Sequence, residues 1–151
     1  MNDLEIEEIL KRILGKHKGL KFFGVFPADH QPCIDEILHH IPCCYVMNTD
    51  SCVDPGTHWV AFLHPAPYVL EFFDSFGRSP VQLGFAIPNN FTLIYNTSAI
   101  QSENSTLCGE LCIIFLYYRA HAITFNKIIS QLSSKSDTLI KNIFHKLVKV
   151  I

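Results

Sequence analysis

Four side chains, His58, Asp74, Gln101 and Cys108, are of the types a thiol hydrolase uses, and each can take one part of that chemistry. A cysteine thiolate attacks a carbonyl carbon. A histidine takes the thiol proton and later protonates the leaving amine, while a carboxylate fixes the ring tautomer and stabilises imidazolium. A glutamine amide N–H, beside the cysteine backbone N–H, holds the oxyanion, and losing such a donor costs about 3 kcal/mol of barrier. Each residue alone also has a plainer use: a packed strand histidine, a turn-capping acid, a surface loop glutamine, a core cysteine at a helix start. Glu71 competes with Asp74 for the acid's part, but three residues earlier on a strand it points to the opposite face. Trp59, next to His58, faces away from it and reads as core.

Local structure must bring these residues together. The polar stretch from Gln101 to Thr106 gives way at Leu107-Cys108-Gly109 to a run whose apolar residues recur as on a buried helix. Cys108 therefore stands where a loop becomes a helix, and unpaired backbone N–H groups and the helix dipole there favour thiolate over thiol. Upstream, Cys43 to Asn48, Thr57 to Leu63 and Tyr68 to Phe73 read as consecutive antiparallel strands, separated by Asp54-Pro55-Gly56 and His64-Pro65-Ala66-Pro67. If the second connection spans His64 to Tyr68, stepping back along both strands sets Asp74 opposite His58. A one-residue change of register would turn one of the two away.

The remaining segments supply the frame. Asp3 to Leu14 has helical apolar spacing, with acids early and bases late, and Gly15 can end it. A short extended piece lies at Phe22 to Phe26, a short helix or turn near Ile34 to Leu38, and another strand at Phe91 to Tyr95. The Cys108 helix ends near Arg119 to Ala122. Helices follow from about Thr124 to Leu132 and from Ser136-Asp137 onward. Strands in the middle and helices at both ends predict one α+β domain over residues 1–151, with a central antiparallel sheet flanked by helices.

Composition narrows the classes. The 151 residues suffice for one domain with a real core, and 48% hydrophobic and 12% aromatic content argues against disorder. A net charge of −2 and a pI near 6.4 give no basic footprint for nucleic acid. No apolar run reaches a membrane span, and the acidic N-terminus is unlike a secretory signal, so an intracellular protein off the membrane is expected. In that setting the six cysteines are not expected to form disulfides, and no CxxC pair suggests zinc. Cys43 and Cys44 alternate across a strand, and most of the cysteines read as small buried hydrophobes, with Cys108 the exception. His39 and His40 diverge on a helix and cannot face one ion, which makes them surface histidines.

Thr57-His58-Trp59-Val60-Ala61-Phe62, Phe72-Phe73-Asp74-Ser75-Phe76-Gly77, and Gln101 followed by Leu107-Cys108-Gly109-Glu110-Leu111-Cys112 together resemble the motif set of the adenovirus protease family, including the proteases of Maverick/Polinton-type DNA elements. The order His, acid, Gln, Cys is the same, and the likeness covers most of residues 1–120. It implies a cysteine endopeptidase in the papain-like fold shared with SUMO-deconjugating proteases, maturing virion precursor proteins at small-residue, commonly glycine, sites in the host nucleus or the virion. By that resemblance His58 is the base, Asp74 its partner, Gln101 the oxyanion donor and Cys108 the nucleophile, with no metal or cofactor. It also implies an activating viral peptide and DNA as partners. The family's enzyme carries a cysteine just before the strand leading to the glutamine loop, which bonds that peptide; here Asn89-Asn90-Phe91 stands there, so covalent activation does not carry over. No basic surface is evident for DNA. Two other functions suit the same four residues: ubiquitin- or SUMO-type deconjugation, and a degenerate protease serving as a binding module.

Overall fold

The computed structural model describes residues 1–17, 19–49, 58–102 and 104–150. The turn expected at Asp54-Pro55-Gly56, the strand residue Thr57, and Cys52 lie outside them. Helix α1 (Asp3–Leu14) begins with a capping box in which Asn2 and Glu5 satisfy each other's backbone N–H. It is followed by β1 (Lys21–Phe26), α2 (Ile34–His39), β2 (Cys43–Asn48), β3 (Trp59–His64), β4 (Val69–Phe73) and β5 (Thr92–Tyr95). Helices α3 (Cys108–Ala120), α4 (Phe125–Ser133) and α5 (Asp137–Lys149) complete the order, and Thr124 and Ser136 cap the last two with their hydroxyls.

Among the described residues the strands form one sheet in the order β1-β2-β3-β4-β5. The expected antiparallel pairing holds for β2-β3-β4, but β1 runs parallel to β2 and β5 parallel to β4, so the sheet is mixed. Apolar alternation encodes which face a residue takes and says nothing about strand direction. Direction is set by the connections, and the long excursions after β1 and β4 return the chain to the end from which it started, as a parallel neighbour requires.

Every residue of β2 and β3 is buried, because both faces of the sheet are covered. Cys44, Val46, Trp59, Ala61, Leu63 and Phe73 pack against the helices. Cys43, Tyr45, Met47, Val60, Phe62, Leu70 and Phe72 form a second core with Ile37 and Phe85. The adjacent cysteines thus face opposite cores, and burial pushes the Cys43 thiol up to about 12 and the Cys44 thiol well above its ordinary value. Cys112 is buried as well, whereas Cys33 is exposed, as are His39 and His40. Helix α3 lies in the middle of the first core, with Leu111 to Leu116 all buried.

Candidate active site

The β3–β4 hairpin delivers His58 and Asp74. Its register is displaced by two residues from the sequence count: Phe62 pairs with Phe72, where Leu70 was expected. An even shift leaves both side chains on the face they would have had. Phe76 now comes level with His58, and the two rings lie 5.1 Å apart at a tilt of 34°. His58 Nε2 meets Asp74 Oδ1 at 2.6 Å, diagonally across the mouth of the hairpin.

Asp74 is fully buried at the end of β4, and each of its polar groups has a partner. Oδ2 accepts from the Arg78 backbone N–H and from Arg78 Nε, both at 2.9 Å. Oδ1 also accepts the Phe76 N–H at 3.3 Å. Asn96 grips the backbone, accepting the Asp74 N–H at 3.2 Å and donating Nδ2 to its carbonyl at 2.6 Å. Burial would raise the carboxyl pKa, but the hydrogen bonds from His58 and Arg78 outweigh it and hold the group at about 2.

His58 is held between two partners. Besides Asp74 it hydrogen-bonds Cys108, and with Nε2 committed to the carboxylate, Nδ1 is the nitrogen left for the sulfur. Burial lowers the imidazole pKa, but the bonds to Asp74 and Cys108 reverse that and carry it to about 9, so the ring is imidazolium at neutral pH. Cys108 is the first residue of α3, and Leu107 at the cap contributes no side-chain hydrogen bond to the helix N-terminus. Gly109 follows in a tight place: a Cβ there would stand 3.1 Å from Met1 Sδ, 3.2 Å from Ile6 Cδ1 and 3.6 Å from the Trp59 ring. That first turn of α3 is pressed onto α1 and Trp59, and the Trp59 indole N–H donates to Asp3 Oδ1 at 2.6 Å.

Gln101 is buried rather than on the surface, 3% exposed, with its amide between two serines. Ser75 donates its hydroxyl to Oε1, and Nε2 donates to the Ser105 carbonyl, each at 2.5 Å. The structure thus joins His58, Asp74 and Cys108 by direct contact, and ties Gln101 to them through Ser75 on one side and Ser105, just before α3, on the other. Glu71 lies elsewhere, in a two-pronged ion pair with Arg119 of α3 at 2.7 and 2.8 Å. The sequence reading did not single out Arg78, Asn96, Ser75 or Phe76. A basic residue four positions after a buried acid, across a glycine turn, was a usable signal for Arg78; nothing local marked Asn96. Among the described residues no group of three His, Cys, Asp or Glu could hold a metal ion, and no helix is long and apolar enough to cross a membrane.

No family model matches the chain. The protease of fowl adenovirus A serotype 1 is 27% identical over 148 residues, covering 84% of this chain and 69% of that protein. The proteases of porcine adenovirus A serotype 3 and bovine adenovirus B serotype 3 are 27% and 30% identical over 64% and 49% of this chain, which spans 54% and 45% of their lengths. Among solved structures, the ASFV protease superposes with a TM-score of 0.62 at 16% identity, over 98% of this chain and 66% of that one. The central domain of an uncharacterized Legionella pneumophila protein gives 0.56 at 11% identity, over 99% and 97%.

The similarity to adenovirus proteases, with the fold shared with the ASFV protease, supports a hydrolase that acts as a cysteine protease. In sequence the chain is similar to the adenovirus proteases.

Proposed function

We propose that the chain is an endopeptidase that matures virion precursor proteins of a virus or virus-like element, cutting after small residues at glycine-containing sites. The observation that carries this reading is His58, bonded at once to Asp74 and Cys108, partners that raise its pKa to about 9. In that state the sulfur attacks the scissile carbonyl as thiolate. The oxyanion that forms is met by the Cys108 backbone N–H and by Gln101, whose amide carries two N–H groups, one of them donated to Ser105. As the C–N bond breaks, His58 passes its proton to the leaving amine. Neutral His58 then draws a proton from water, the hydroxide cleaves the thioester, and the thiolate and imidazolium are restored. Asp74 holds the ring throughout.

No metal or cofactor enters this sequence of steps. A site of action in the virion or the host nucleus accords with the substrate class. The test pairs glycine-containing precursor peptides with intact ubiquitin- and SUMO-type conjugates, each with and without a candidate activating peptide and DNA. Expected is cleavage of the peptides alone, lost in Cys108→Ala. Cleavage of the conjugates instead makes the chain a deconjugating enzyme. With neither substrate cut under any condition, and Cys108 no more reactive to iodoacetamide than Cys33, it is a binding module.

A further inference from the structure

The two ends of the Gln101 amide are told apart by their partners. A backbone carbonyl only accepts, so the end facing Ser105 O is Nε2, and the end that receives the Ser75 hydroxyl is Oε1. Ser75 is fully buried and binds the same segment through its backbone, its carbonyl accepting the N–H groups of Ile100 at 2.7 Å and Gln101 at 3.0 Å. The turn after it lies flush on this segment. Gly77 has φ +75°, and a Cβ there would come within 2.6 Å of the Ser98 carbonyl carbon. Two consecutive residues therefore serve two different groups: Asp74 holds the imidazole, and Ser75 holds the amide. Without the Ser75 hydroxyl, Oε1 would be buried with no donor, and turning the amide over would set Oε1 against the Ser105 carbonyl.

We propose that Ser75 is a positioning residue for the oxyanion donor: its hydroxyl, given to Gln101 Oε1, fixes the amide with its N–H groups toward Ser105 and the start of α3. This rests on the reading of Gln101 as that donor.

The test is a double-mutant cycle in the full chain, with Ser75→Ala, Gln101→Ala and the pair assayed for peptide cleavage, together with iodoacetamide labelling of Cys108 across pH. Removing an oxyanion donor lowers kcat by about a hundredfold or more. Expected is a fall in kcat for Ser75→Ala approaching that of Gln101→Ala, with KM and the labelling profile unchanged and no further loss in the double variant. Ser75→Cys, which keeps a weak donor in similar volume, should recover part of the rate, and it takes the place of Ser75→Ala should the latter not fold. Losses that multiply in the double variant, or a normal kcat for Ser75→Ala beside a slowed Gln101→Ala, overturn the positioning role. Normal turnover by Gln101→Ala removes the oxyanion reading itself, and the Ser75 role falls with it.

Discussion

Two histidines stand at the two ends of β3, and the sheet sends them to opposite charge states. His58, immediately before the strand, is 12% exposed and meets a carboxylate at 2.6 Å. His64, its last residue, is 2% exposed; its Nδ1 donates to the Val69 carbonyl at 3.0 Å, and its Nε2 accepts the Tyr45 hydroxyl at 3.2 Å. Burial lowers both pKa values. At His64 only a carbonyl opposes it, and the value falls to about 4; at His58 Asp74 and Cys108 prevail, and it rises to about 9. Burial alone therefore makes a histidine a neutral strut. The partner's charge keeps the other one protonated to higher pH.

The pH dependence of folding follows with opposite signs. His58 stabilises the fold in full below about pH 6.5, its ordinary value, and that contribution is lost as pH rises through about 9. His64 contributes in full above 6.5 and loses its share as pH falls through about 4, while Asp74 contributes above 3.8 and fails toward about 2.

Asp74→Asn should abolish the contrast. The His58 ring, followed by NMR, should titrate near its ordinary value, the alkaline limb of kcat/KM should move down from about pH 9, and kcat should fall by about 10² to 10⁴. A ring still charged at pH 8 in that variant would mean that Cys108, its other partner, holds the proton without Asp74. His64→Phe should act at the other end of the strand only. It leaves the Tyr45 hydroxyl and the Val69 carbonyl without their partner and should cost about 1–3 kcal/mol in urea unfolding, with kcat unchanged. Melts of this variant should lose part of the decline between pH 6.5 and 4 while keeping the decline above pH 8. The smallest effect belongs to Arg78→Ala. That side chain is 42% exposed, so its loss should change stability by about 0.2–1 kcal/mol and kcat by less than about fivefold, while the acid limb of the melts moves to higher pH as Asp74 is released.

Much of this was legible in the sequence because the signals are local. The spans of α1, α3, α4 and α5 follow from apolar spacing, helped at α4 and α5 by hydroxyl caps, and the strands from turn chemistry at their ends. The even offset between His58 and Asp74 on neighbouring strands put them on one face whichever of the two registers formed. What was not legible is set by distant contacts. The parallel edges depend on where long connections return, the hairpin register on how the Pro65 to Tyr68 turn closes, and the grip of Asn96 on Asp74 on a residue 22 positions away. Gln101 was read as the oxyanion donor, with a surface loop as its plainer use, and nothing near it in sequence announces the buried serine that receives it.

The parallel pairing of β5 with β4 bears on the order in which the protein becomes able to cut. The histidine and carboxylate, sixteen residues apart, meet as soon as a hairpin closes, one of the quicker events in folding. The thiol lies beyond a crossing from one end of the sheet to the other, the pairing of β5 with β4 and the seating of α3 on the core, contacts of the long-range kind that close slowly. The contact of His58 with Asp74 is thus the local one, and its contact with Cys108 is the long-range one.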